Sequence, residues 1–226
     1  MHTFSATDFV SSEPPQALAA DEIHLWFFPQ CHPATSGRID FASHLRDLLA
    51  AYLQSEAHAL RIERDTHGKP FLNDLPSGMA LQFNLSHSAD ALLVGISQIQ
   101  ALGVDIENVR RKHPDQELAQ RFFDPDEASA LAALPEAMQA RAFLQLWSCK
   151  EAVLKALGRG IVFGLDRLSF ALGARGDVLG LVRIADEAGA LAQWRIVQVV
   201  PQEGFLGALA WQGPALNVRC FRYGAG

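Results

Sequence analysis

Three cysteines in 226 residues (Cys31, Cys149 and Cys220) leave little room for sulfur chemistry. Their number is odd and no two stand as Cys-x-x-Cys. That argues against a disulfide framework or a structural zinc site and fits a reducing cytoplasm. Long hydrophobic runs are missing as well. The apolar stretches fall well short of the roughly 18 residues that a membrane-spanning helix needs, so no membrane partner is expected. The first residues have no basic start, and Asp8 and Glu13 interrupt them, so they do not read as a signal peptide. Positive charge is in deficit, with 19 Lys and Arg against 25 Asp and Glu and a net charge of −6. Nucleic acid is therefore not an expected partner, and an anionic ligand requires basic residues gathered locally. The chain also lacks a Walker P-loop, a G-x-G-x-x-G fingerprint, an H-E-x-x-H pair and a G-x-S-x-G elbow.

What is present is a chain 49% hydrophobic and 19% charged, which is expected to fold around a packed core. Residues 1–21 read as a loose lead-in, 22–28 as a strand and 29–37 as a loop. Residues 39–53 carry helical spacing through Phe41, Leu45, Leu48, Leu49 and Tyr52. A short strand over 60–64, a turn over 67–70 and strands over 81–85, 91–96 and 102–107 follow. The pattern then changes to helices over 116–123, 125–134 and 136–157, the last stopped by Gly158. The rest is strand-like over 168–172, 193–200, 205–211 and 216–223. This is an α+β order, read as an N-terminal half (1–108) and a C-terminal half (109–226).

The chemistry concentrates in two runs. In Gly103-Val104-Asp105-Ile106-Glu107 the period of a strand puts Asp105 and Glu107 on one face. In the helix through Trp147, Lys150, Glu151 and Lys155, the spacing of four puts Glu151 and Lys155 on one face. Where these faces meet, three carboxylates hold a hard divalent cation and the lysine sits beside the anion that the cation binds, an arrangement that suits Mg²⁺ with a phosphate. The bland readings are an acidic edge strand and an ordinary surface pair worth about 0.3–0.5 kcal/mol. Lys150 interrupts an apolar stripe and needs an anion if buried. Ser86 and His87 close an alternating strand and offer hydrogen bonds to a phosphate, or else form a simple turn. Arg61, Arg64 and Lys69 form one basic cluster, and Arg110, Arg111, Lys112 and His113 form another directly after the acidic strand. The plain alternative for both is solvated surface charge.

Taken in order, Gly68-Lys69-Pro70, Phe83-Asn84-Leu85-Ser86-His87-Ser88, Gly103 to Glu107, Arg121-Phe122-Phe123 with Glu127, and Trp147 through Lys155 to Gly158-x-Gly160 resemble the 4′-phosphopantetheinyl transferase superfamily. The likeness is greatest to the monomeric type that primes nonribosomal peptide and polyketide synthases. The resemblance implies a pseudo-dimer of two similar α+β halves with coenzyme A in the cleft between them. It implies transfer of the phosphopantetheine arm to a serine of an acyl or peptidyl carrier protein, with release of 3′,5′-ADP. It also implies Asp105, Glu107 and Glu151 as ligands of Mg²⁺ (or Mn²⁺), Lys155 at the pyrophosphate, and Glu151 at the serine proton. Lys69, Ser86, His87 and Lys150 are then expected at coenzyme A. The family often carries an arginine where this chain has Ala42, so Arg46, Arg38 or Arg64 is expected to stand in. Arg110, Arg111 and Lys112 are the expected contacts to an acidic carrier, with Phe122 or Phe123 adding apolar area or serving the core. A phosphodiesterase acting on coenzyme A or holo-carrier protein and a non-catalytic binding protein are the competing readings.

Overall fold

The computed structural model describes residues 1–31, 40–73, 75, 80–98, 100–111 and 115–224. Strands β1 (Thr3–Phe4), β2 (Phe9–Ser12) and β3 (Glu22–Phe28) come first, then helix α1 (Phe41–Leu53). The hairpin β4 (Arg61–Arg64) and β5 (Pro70–Asn73) precedes β6 (Gln82–Ser88), β7 (Ala91–Ser97) and β8 (Leu102–Asn108). Helices α2 (Asp115–Phe122), α3 (Pro125–Ala132) and α4 (Glu136–Leu157) follow. The chain continues through β9 (Leu168–Leu172), β10 (Val178–Ile184), β11 (Trp194–Val199), β12 (Phe205–Gln212) and β13 (Asn217–Tyr223). No helix among the described residues is long and apolar enough to cross a membrane.

The fold is α+β and is built on two mixed sheets, in the orders β2-β13-β3-β7-β6 and β1-β11-β12-β8. The two repeat one pattern of pairing. β13 runs parallel to β3, and β3-β7-β6 are antiparallel. Likewise β1 runs parallel to β11, and β11-β12-β8 are antiparallel. Each sheet draws strands from both sides of residue 108: β8 and β1 lie in the sheet of β11 and β12, and β13 lies between β2 and β3.

Alternation along β3 explains the layering. Ile23, Leu25 and Phe27 point into a core shared with Val104, Ile106, Leu209 and Trp211 of the other sheet. Trp26 and Phe28 point the opposite way and pack with Leu45, Leu48 and Leu49 of α1. Helix α4 covers the second sheet through Leu146, Ala152 and Val153, against Leu206, Ala208 and Ala210. The Asp40 side chain caps α1 by accepting from the Ser43 N–H at 3.0 Å. Asp124 does the same for α3 ahead of Pro125, accepting from the Asp126 N–H at 2.9 Å.

Five strands differ from the sequence expectation. The lead-in contains β1 and β2, too short to show alternation and ordered by parallel pairing to β11 and β13. β5 follows the turn at 67–70 directly. β10 carries register shifts and exposes Leu179 and Val182, which hides its period. β6 runs on through Ser86, His87 and Ser88 because its pairing with β7 continues to Ser88 opposite Ala91. The Ser-His-Ser run is therefore the end of the strand, as the alternation indicates, and not a simple turn.

Candidate active site

A missing side chain brings the site together. A Cβ on Gly103 would stand 2.1 Å from the Ala152 carbonyl oxygen and 2.4 Å from the Ala156 nitrogen. Only bare backbone there lets α4 lie on β8. Two residues farther along β8, Asp105 then meets the helix, and Lys155 Nζ donates to Asp105 Oδ1 at 2.7 Å. Gly158 ends the helix in the left-handed region, at φ 69°. The turn at 67–70 is fastened to that helix end, where Lys69 Nζ donates to the carbonyls of Lys155 (2.7 Å) and Leu102 (3.3 Å).

A cleft of about 330 Å³ opens over this junction. Arg64, His67, Lys69 and Pro70 form one wall, Asn84, Leu85 and His87 a second, and Glu151, Leu154, Lys155, Gly158 and Gly160 a third. A larger cavity of about 590 Å³, beside Tyr52 and Gln98, has no charged residue in its lining. It offers nothing to hold a phosphate, so the smaller basic cleft is the candidate.

The cleft's electrostatics follow from burial. Glu107 is pushed up to about 7 by burial and then by the Asp105 charge. Glu151 is pushed up to about 7 by the same two causes in the same order. His87 is held below the usual histidine range by burial first, then by Lys155 and Arg111, so its ring is neutral at pH 7. That ring stacks on Phe41 at 4.2 Å with 13° between the planes. Burial also lowers Lys69.

As placed, no three His, Cys, Asp or Glu side chains among the described residues form a group that could hold a metal. The chemistry of the donor set nevertheless fits a hard cation. Asp105 Oδ2 is buried and accepts no hydrogen bond, although Asp105 is only 4% exposed. Two further carboxylates are forced toward protonation beside it. A divalent cation is what would relieve all three.

Three expectations for the coenzyme A contacts need correction. Lys150 does not reach the cleft: it is fully buried, paired with Glu127 at 2.6 Å, and donates to the carbonyls of Leu165 (2.8 Å) and Leu168 (2.6 Å). Burial pulls Lys150 down and pushes Glu127 up, and each one's charge opposes the shift on the other. The anion that a buried Lys150 requires is thus Glu127. Ser86 is buried too, and its hydroxyl donates to Asp105 Oδ1 at 2.8 Å. Arg46 lies outside the cleft lining and donates to the Leu60 carbonyl at 2.8 Å, tying α1 to the chain ahead of β4. Arg64 does line the cleft and donates to the Gly68 carbonyl at 2.7 Å. Arg38, Lys112 and His113 lie outside the described residues.

Arg110 and Arg111 are exposed in a turn built on Asn108, which accepts from Arg110 N–H at 2.9 Å and Arg111 N–H at 3.1 Å. Phe123 belongs to the core, while Phe122 is half-buried with the Arg121 guanidinium 5.0 Å above its ring. Asn84, Ser88 and Phe41 were not singled out from sequence. Asn84 Oδ1 accepts from the Val104 N–H at 2.9 Å, and Ser88 Oγ donates to Glu107 Oε2 at 3.1 Å. The signal for two of them was available, since 84, 86 and 88 share one strand face.

Comparison with known proteins gives a consistent result. The sequence model of the 4′-phosphopantetheinyl transferase superfamily matches residues 101–200. The 4′-phosphopantetheinyl transferase HetI of Nostoc sp. is 30% identical over 238 residues, covering 93% of this chain and 97% of that protein. The 4′-phosphopantetheinyl transferase psf-1 of Bacillus pumilus is 36% identical over 138 residues, covering 59% of this chain and 57% of its own. The 4′-phosphopantetheinyl transferase Sfp of Bacillus subtilis is 34% identical over 134 residues, with the same two shares.

Proposed function

The chain belongs to the 4′-phosphopantetheinyl transferase superfamily, and from that premise we propose how its own residues perform the transfer. The enzyme moves the 4′-phosphopantetheine arm of coenzyme A to a carrier protein. The observation that carries the residue assignment is the junction of β8 and α4, where Lys155 grips Asp105 and Glu151 faces the same cleft as Lys69 and His87.

Coenzyme A lies with its phosphates in that cleft. Lys155 donates to the pyrophosphate, and Arg64, His67 and His87 edge the phosphates of the nucleotide. Lys69 contributes its charge while holding the turn to the end of α4. Asp105, Glu107 and Glu151 would hold Mg²⁺, or Mn²⁺, whose bound charge lowers the cost of negative charge on the leaving group. The carrier's serine oxygen bonds to the β-phosphorus. The bond from that phosphorus to the bridging oxygen breaks, and its electron pair leaves with 3′,5′-ADP. Glu151, on the cleft wall, takes the serine proton. No nucleophile is required of this chain, since the partner supplies it.

Arg110 and Arg111 meet the carrier. Their exposure at the end of the strand that carries Asp105 and Glu107, and the reach of the Arg111 charge to Glu107 and His87, support this. Half-buried Phe122 flanks them in our reading. The three buried free thiols and a coenzyme A substrate support a cytoplasmic setting.

The test is intact-mass spectrometry of an apo carrier protein incubated with the enzyme, coenzyme A and Mg²⁺. A gain of one phosphopantetheine, lost in EDTA and lost in Glu151→Gln, is expected. Free phosphopantetheine with an unmodified carrier would instead identify a hydrolase. Full transfer by Glu151→Gln would remove that residue from the reaction.

A further inference from the structure

β6 ends one sheet and β8 ends the other, and the two lie side by side without a backbone ladder. Side chains of β6 replace that ladder. Asn84 Oδ1 takes the Val104 N–H at 2.9 Å, and Ser88 Oγ takes the Asn108 N–H at 3.0 Å. Between them Ser86 Oγ donates to Asp105 Oδ1 at 2.8 Å. The strand period of two runs along both strands, so residues 84, 86 and 88 meet β8 in step with its carboxylates.

Ser88 has a particular position in this row. It is 1% exposed, so water does not serve in its place. Its oxygen accepts from the Asn108 backbone, and its one hydrogen points to Glu107 Oε2 at 3.1 Å. A single hydroxyl thus clamps the backbone at 108 and the carboxylate at 107. The glutamate side chain is longer and less restricted than that of Asp105, and fixing one oxygen removes much of that freedom. The geometry points to Ser88 as a positioning residue that holds Glu107 in the orientation a divalent cation requires, and Ser86 as its counterpart at Asp105. This rests on Glu107 serving as a cation ligand. Ser88 touches neither substrate nor cation and acts through Glu107.

The experiment is a titration of Mn²⁺, followed by electron paramagnetic resonance of the free ion in the presence of coenzyme A. Four proteins are compared: wild type, Ser88→Ala, Glu107→Gln and the double variant. Losing such a supporting hydrogen bond weakens metal affinity by about 10–100-fold. Ser88→Ala is expected to weaken Mn²⁺ in that range while coenzyme A affinity in EDTA stays at the wild-type value. In the Glu107→Gln background the serine substitution should change nothing further, because its effect runs through that carboxylate. Unchanged Mn²⁺ affinity in Ser88→Ala, with weakened affinity in Glu107→Gln, overturns the positioning role and leaves the ligand assignment standing. Additive losses overturn it also. Unchanged affinity in Glu107→Gln overturns the ligand assignment itself, and the proposal with it. If Ser88→Ala does not fold, Ser88→Cys keeps the volume with a far weaker donor and is read by the same criteria.

Discussion

At the scale of single residues, the site stores negative charge under burial, and pH should expose this. Glu107 and Glu151 are each moved from the ordinary 4.5 to about 7. A carboxyl raised in the folded state binds more protons folded than unfolded across that window. The stability it contributes is complete below about pH 4.3 and is lost as pH rises through 7. In EDTA the melting temperature should therefore fall between pH 5 and pH 8, and fall less in Glu107→Gln. Thermal melts at four pH values would check this, and parallel pH slopes would contradict it. Mg²⁺ should restore part of the loss at pH 8 in wild type only. The residues behind this behaviour were legible from the sequence, because strand and helix periods alone put Asp105 with Glu107 and Glu151 with Lys155 on shared faces. The partners of Ser86 and Lys150 were not legible. Each meets its partner, Asp105 or Glu127, across 19 or more residues of chain, and no local period encodes that meeting.

At the scale of elements, two substitutions test how α4 is seated. Gly103→Ala drives a methyl group into the backbone of α4, where it would lie 2.1 Å from the Ala152 oxygen. Overpacking of this kind costs about 1–3 kcal/mol, and more where backbone is the obstacle. Urea unfolding should show at least that loss, with a drop in kcat larger than the change in coenzyme A affinity, because the separation of β8 and α4 sets the Asp105–Lys155 contact. Glu127→Ala leaves Lys150 buried without its counter-charge, which should cost about 3–5 kcal/mol. Pairing Glu127→Leu with Lys150→Met should not restore wild-type stability. The carbonyls of Leu165 and Leu168 and the Phe170 N–H, which Glu127 Oε1 accepts at 2.6 Å, would still lose their partners. A double variant as stable as wild type would refute that reasoning. Helix α4 and strand β3 show their bounds in the sequence, since one is long and periodic and the other alternates and then runs apolar from Leu25 to Phe28. β1, β2 and β10 do not, because pairing with distant strands orders them and their own period does not.

At the scale of the molecule, the charge distribution decides how a large partner approaches. A net charge of −6 opposes an acidic carrier in general, so the docking proposed above asks the exposed arginines at 110 and 111 to supply the local attraction. Arg110→Glu with Arg111→Glu should raise KM for the carrier by about tenfold, a step worth about 1.4 kcal/mol, and leave KM for coenzyme A nearly unchanged. Steady-state kinetics with each substrate varied in turn would check it, and an unchanged carrier KM would rule the arginines out. The repeated pairing pattern of the two sheets could not be read from the sequence, which carries no internal repeat. The likeness lies in pairing sense and order, which side-chain identity does not record.

The position of β13 has a consequence for synthesis. This last strand lies between β2 and β3, which are made almost two hundred residues earlier. A ribosome that has made only residues 1–108 has not yet supplied the strand that joins β2 to β3. That sheet closes only once residues 217–223 have been made, and until then β2 and β3 present unpaired edges and apolar faces. Nascent chains of this protein are therefore exposed to aggregation while residues 29–216 are being made, and chaperone capture during that interval should raise the yield more than help given after release.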